Sequence, residues 1–265
     1  LEDEFSASIV KNPAIPTFEN TILPQTDTVL KLVCDVFFNL LNVHTNDDFD
    51  ALAQKISPLL SEHSNKVVLN EKLFQRVKYV YNHQHDLNAE ETKLLEDVYQ
   101  GFVRSGACLK PKDKQRLAAL KVELSSLVIS FDQHELKDLN AFRLHVTDRA
   151  QLEGLSDSVL ETAQKSASEA QLEGWLFTLH DSCYVPFMTY ASNRELRRQM
   201  YFAKNTICNQ GNENDNNAVV TRIVNIRREI AQILGHECFA DFVLEKRMAK
   251  NKEAVYKLLD ELILT

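Results

Sequence analysis

Apolar residues recur at steps of three and four along most of this chain, the spacing that lays a stripe down one face of an α-helix. Val29, Leu30, Val33, Val36, Phe37, Leu40 and Leu41 predict a core-facing helix over about 28–42. Phe49, Leu52, Ile56, Leu59 and Leu60 predict a second from Asp47. Pro58 should kink or split it, because proline lacks an amide hydrogen and collides with the preceding turn. Leu69, Leu73, Phe74, Val77, Val80 and Tyr81 define a third helix, after which Asn82 to Asp86 reads as a loop. Asn88 with Glu91 three residues on reads as a capping box, opening a helix that carries Leu94, Leu95, Val98 and Phe102 and ends at Gly106. The longest predicted helix spans about 111–139, with Leu117, Leu120, Leu124, Leu127, Val128, Phe131 and Leu136 inward and Pro111 in the first turn, where proline is tolerated.

The period then changes. Phe142, Leu144 and Val146 alternate with Arg143 and His145, and residues 175–180 form a second short apolar run, so a small β element is expected near 142–146 and 175–180. Ser156 caps an intervening helix to about Ala170. From Pro186 onward the pattern is helical again: 193–204, 216–234 closed by Gly235, 237–248, and a last helix from Asn251. The polar run 209–217, NQGNENDNN, is a loop. Residues 1–27, with Pro13, Pro16 and Pro24, read as an extended, wrapping lead-in. The fold class is therefore mostly α, an elongated multi-helix array with one small β element and no solenoid repeat.

Composition narrows the function classes. Only six of 265 residues are glycine, which suits helices better than strand-rich folds. A net charge of −8 without a basic stripe excludes a nucleic-acid surface. No apolar run approaches the roughly 20 residues of a membrane span, so no membrane partner is expected. The five cysteines lack a CxxC pair and read as reduced thiols of a cytoplasmic protein, a periplasmic location standing open if an upstream signal was removed.

Candidate chemistry is sparse. His236-Glu237 begins an HExxH zinc motif, but Ala240 stands where the second imidazole is needed, and a hydrolytic zinc requires both on one helix face. His236 and Glu237 are expected to start and cap a helix. His134, Glu135 and Asp138 make an HExxD pattern on the long helix, read as its polar end. His83 and His85 fall in the expected loop. Gly101 and Gly106 have phosphate-loop spacing, but Ala107-Cys108 replaces the required Lys-Ser/Thr. Cys183 near His180 is read as a strand or loop thiol without a third catalytic group. No residue is assigned a catalytic or metal-binding role, and no substrate-binding residue is singled out.

Several blocks nonetheless stand in a distinctive order: 16–22 (PTFENTI), 69–77 (LNEKLFQRV), 99–107 (YQGFVRSGA), 152–156 (LEGLS), 193–197 (NRELR) and 215–249. On these blocks the chain resembles the N-terminal part of the thimet oligopeptidase-like zinc metallopeptidases, within them the bacterial peptidyl-dipeptidase (dipeptidyl carboxypeptidase) branch. The resemblance implies a helical, two-lobed enzyme with a deep channel for short peptides. It implies zinc held by an HExxH helix and a downstream Glu, none of which this sequence contains. Residues 1–265 would then be one helical lobe, inactive by itself. Its catalytic partner lobe and zinc site would lie beyond Thr265, and its substrates would be oligopeptides losing C-terminal dipeptides. Internal cleavage by the oligopeptidase branch, or a helical interaction module without enzymatic activity, are the alternative readings.

Overall fold

Side chains that satisfy the orphan amides of a first helical turn set several helix starts in this chain. The computed structural model describes residues 2–25 and 29–263, and among these it contains twelve α-helices and one two-stranded sheet. They are α1 (Glu2–Lys11), α2 (Val29–Val43), α3 (Asp47–Val68), α4 (Glu71–His83), α5 (Ala89–Arg104), α6 (Pro111–Ala141), β1 (Leu144–Val146), α7 (Asp157–Glu169), β2 (Trp175–Phe177), α8 (Asp181–Tyr190), α9 (Arg194–Asn205), α10 (Asn217–Ile233), α11 (Phe239–Leu244) and α12 (Lys252–Ile263). Asn46, Asn70 and Asn88 accept the amides of Phe49, Leu73 and Glu91 at 3.0, 3.1 and 2.9 Å. Glu91 returns the bond to the Asn88 amide at 3.0 Å, completing the expected capping box. Gly106 stops the following turn at φ +98°, where a Cβ would stand 2.6 Å from a Leu117 methyl.

The chain packs as two units, one made of Leu1–Ile129 with Arg222–Thr265 and the other of Ser130–Thr221. In the first, Leu73, Phe74, Val77 and Val80 of α4 are buried with Ile9 of α1, Phe18 and Ile22, and Leu95 and Phe102 of α5. Phe74 stacks on Tyr99 and Phe102 with ring centroids about 6 Å apart. A second cluster buries Leu117 and Leu120 of α6 against Ile226 and Ile230 of α10. Its edges are closed by two forked ion pairs, Arg116 with Glu229 (2.8 Å) and Arg222 with Glu123 (2.6 Å).

In the second unit β1 and β2 pair antiparallel with Leu144 opposite Phe177, His145 opposite Leu176 and Val146 opposite Trp175. Gly174 enters the pair at φ +92°, where a Cβ would lie 2.5 Å from the Val146 carbonyl oxygen. The core on this sheet holds Phe177, Leu179, Phe187, Leu152 and Met200, all nearly inaccessible, with Phe177 edge-on to Phe187 at 4.7 Å.

Several expectations are corrected. The lead-in is not extended throughout: residues 2–11 form α1, Phe18–Ile22 a π-turn capped by Thr17, and Leu23–Gln25 a 3₁₀ turn. Only the residues around Pro13 and Pro16 stay non-helical, and Arg76 binds this path by donating to the Asn12 and Ala14 carbonyls at 2.9 and 3.3 Å. Thr28 lies outside the described residues. Pro58 does not split α3, which continues for 22 residues. The stripe on α2 does not face a core: no α2 residue is buried, and Val29 is 75% exposed. Helix α4 runs through His83, into the expected loop. Ser156 occupies the N-cap of α7, but its hydroxyl meets Ser158 and no amide. Helix α8 was not expected, since Pro186 and the flanking apolar run obscured its period. Helix α11 is six residues long and does not reach Met248, because Lys246 and Arg247 bond back three residues and tighten the turn.

Phe187→Ala should lower the stability of the second unit by roughly 3–5 kcal/mol through the cavity it leaves. Urea unfolding followed by fluorescence of Trp175, the single tryptophan, measures this, and an unchanged midpoint would refute the core assignment. Hydrogen bonds from Arg222 and Arg116 hold the Glu123 and Glu229 carboxyls below the ordinary glutamate range. Their stabilisation is present above the ordinary glutamate pKa and lost as pH falls through the lowered values. The Glu123→Gln, Glu229→Gln double variant should therefore lose less stability than the parent between pH 7 and pH 3, monitored by urea midpoint.

Candidate functional site

In the second unit, the residues of the HExxD pattern meet the Asn-rich loop. Asp138 is only 8% exposed. Its carboxylate accepts the Cys208 amide at 2.7 Å, the Asn212 side-chain amide at 3.3 Å and that of Asn214 at 3.5 Å. Asn216, also buried, donates its side-chain amide to the Phe131 carbonyl at 3.1 Å, so its oxygen faces His134 Nδ1 at 2.8 Å. His134 Nδ1 therefore donates to that oxygen. The arrangement fixes loop 209–216 on α6 and gives each oxygen of Asp138 at least one N–H donor.

Cys208 sits beside this cluster in the left-handed region, φ +55°. Burial first, then the nearby Asp138, Glu135 and Asp215 charges, push its thiol up to about 11. A neutral buried thiol of this kind is inert at neutral pH.

Other sequence candidates are dispersed. His236 and Glu237 lie in the turn before α11, which follows Gly235 at φ +87°, and the N-cap position belongs to Cys238. They therefore neither start nor cap that helix. The His236 ring meets Phe242 edge-on at 5.2 Å with Nδ1 3.7 Å from Glu245, and Glu237 pairs with Lys252 at 3.2 Å. His83 stacks on Tyr79 at 4.2 Å, one turn back on α4, while His85 lies past the helix end. Gly101 is inside α5 and Gly106 in the turn after it, so the two do not form a phosphate loop. Cys183 and His180 do line one cavity of about 420 Å³. Cys183 is on α8 and not in a strand or loop, its sulfur accepts the Thr178 amide at 3.3 Å, and burial raises its thiol pKa. His180 is turned to Asn140 at 2.9 Å. Proximity here yields no activated nucleophile.

Among the described residues no three His, Cys, Asp or Glu side chains converge as a metal site. A hollow of about 1010 Å³ in the first unit lies between α3 and α6 over Ala118, Ala119 and Val122, with Lys66, Lys114 and Glu62 at its rim. It can accept an extended apolar segment, but it offers no assembled acid, base or nucleophile.

Residues 187–264 match the profile of Peptidase family M3. Over 97% of its length the chain is 34% identical to dipeptidyl carboxypeptidase of Escherichia coli, and over 96% it is 31% identical to oligopeptidase A of the same organism. Over 91% it is 24% identical to the mitochondrial intermediate peptidase of Scheffersomyces stipitis. The chain is a relative of the family M3 peptidases and corresponds to their N-terminal part. Among these matches it is more similar to dipeptidyl carboxypeptidase than to oligopeptidase A, and it spans 38% of the length of either.

The Asp138 cluster was legible only as polar residues of the right type. The nine-residue run of Asn, Asp, Glu, Gln and Gly was its signal, since so many amides near a core must find acceptors. Alkylation by iodoacetamide at pH 8 should modify exposed Cys108 readily and Cys208 slowly, read by mass spectrometry. Asp138→Asn, which removes a charge and sets amide against amide, should speed Cys208 modification by ~10-fold or more. Equal rates in parent and variant would remove Asp138 as the anchor.

Proposed function

We propose that this chain is the N-terminal helical lobe of a zinc-dependent family M3 peptidase that releases dipeptides from the C-termini of oligopeptides. The catalytic zinc would be held by residues that follow Thr265 in the whole protein. What carries the reading is the collinear likeness to dipeptidyl carboxypeptidase across 97% of the chain. The large hollow beside α6 is consistent with a lobe that borders a peptide channel.

A further observation supports a missing partner surface. In the first unit, α2 exposes Val29, Leu32, Val33 and Val36, and α12 exposes Tyr256, Leu259, Leu262 and Ile263. Apolar rows of this length on two helices are costly against water and mark surfaces meant for cover. The remainder of the enzyme is the proposed cover. Oligopeptidase activity, with cuts inside the peptide, is the second reading, favoured by the 31% identity to oligopeptidase A over the same span. The scattered cysteines, without a CxxC pair, favour a reducing, cytoplasm-like compartment for it.

The whole protein should remove dipeptides from peptides with a free C-terminus, lose this activity to a chelator and regain it with zinc. Efficient exoproteolysis of C-terminally amidated peptides would sink the dipeptidase assignment, and internal cuts alone would favour the oligopeptidase. The 265-residue chain itself should bind no stoichiometric zinc and show no chelator-sensitive hydrolysis. One tightly bound zinc per chain would overturn the placement of the metal site.

A further inference from the structure

We propose that the hollow framed by α5, α6, α10 and α11 in the first unit binds a small monocarboxylate with an apolar body, whose carboxylate pairs with Lys121. The cavity measures about 480 Å³, within the usual range for small-molecule sites. Leu124, Ile230, Leu234, Phe239 and Phe242 supply its apolar wall.

The other charged side chains that line it each have an ion-pair partner. Arg104 pairs with Glu245, donates to the Phe242 carbonyl at 2.5 Å and lies over the Phe242 ring at 4.3 Å. Lys246 stands 3.8 Å from Asp97, which also holds Lys93 at 2.7 Å. His236 faces Glu245 from the turn before α11. Lys121, half-buried on α6, donates to the Ser105 carbonyl at 3.3 Å, and no carboxylate of the described residues offsets its charge. An ammonium has three donors, so two remain for a ligand. Burial alone drives the Lys121 pKa down, the state expected of a cation whose counter-ion is missing. Capping the last carbonyls of α5 explains one hydrogen bond but not the apolar cavity beside the amine. A carboxylate with an aliphatic or aromatic body would answer both the charge and the walls. Two sources share this chemistry, a medium-chain fatty acid and the C-terminus of a short apolar peptide. The site contains no hydrolytic machinery, so the inference stands apart from the peptidase reading.

The test uses the purified 265-residue chain with ¹³C-methylated lysines, the Lys121 signal being assigned by its loss in Lys121→Met. The probes are octanoate, N-acetyl-Leu-Phe and N-acetyl-Leu-Phe amide. At least one of the two acids should raise the Lys121 titration midpoint by about one pH unit or more, as a new ion pair requires. In calorimetry that acid should bind Lys121→Met ~10-fold more weakly than the parent, while the amide should not distinguish the two proteins. A response to octanoate alone identifies a lipid-like acid, and a response to the peptide acid alone identifies a peptide C-terminus. If neither acid moves the Lys121 midpoint, or if the amide binds as tightly as a peptide acid that does move it, the proposal is wrong. Should Lys121→Met fail to fold, Lys121→Arg assigns the signal, and the titration of the parent chain decides the matter.

Discussion

The contact between α6 and α10 holds the first unit together across a long gap in sequence. Leu117 and Leu120 meet Ile226 and Ile230 about a hundred residues later, after the chain has completed the whole second unit. Without that burial, Arg222–Thr265 would have no reason to join Leu1–Ile129. Four fully or nearly fully buried aliphatic side chains provide the driving force, each contributing on the order of 1.5–3 kcal/mol. The forks of Arg116 with Glu229 and Arg222 with Glu123 contribute direction, since a planar guanidinium meets a carboxylate in one orientation. They fix which face of α10 turns toward α6. The Lys121 hollow exists because this pairing leaves room beside Leu124 and Ile230 that α11 closes with Phe239 and Phe242.

The second unit is organised by a different economy of interactions. Its apolar centre is ordinary, Phe177 against Phe187 over a two-stranded sheet. Its loop 209–216 carries many polar groups and little that can be buried for gain. Asp138 and Asn216 resolve this by accepting and donating into the loop from the edge of the core. An unpaired group at either position would cost more than a typical hydrogen bond returns. That explains why an acidic residue is buried on α6. Here the chain builds helical framework, with loop 209–216 secured by side-chain amides.

Much of this was legible beforehand where the physics is local. Asn88 and Glu91 announce a helix start whatever follows, because both bonds close within four residues. Alternation at Leu144 and Val146 likewise marks a strand before its partner is known. Helix α8 was missed because Pro186 breaks the usual signature, yet burial of Phe187 holds the helix together around it. The end of α11 was missed for the opposite reason, a continued apolar pattern that the backbone abandons at Leu244. Of the candidate sites, His134 and Asp138 were recognisable as a pair one turn apart on α6. Their roles were not, since those depend on Asn212, Asn214 and Asn216, some eighty positions distant. Lys121 carried no signal at all: within LKVELSS it reads as any solvated lysine.

By itself, then, the sequence determined the mostly helical class, the capping box of Asn88 and Glu91, the glycine stops at Gly106 and Gly235 and the family likeness. The tertiary structure alone decided which apolar stripes are covered. The rows on α2 and α4 have the same period, but Val77 and Val80 are buried while Val33 and Val36 face outward. Periodicity records that a face can be buried, a property of neighbouring residues on one helix. Burial requires a second surface, and that surface comes from residues the local pattern does not specify.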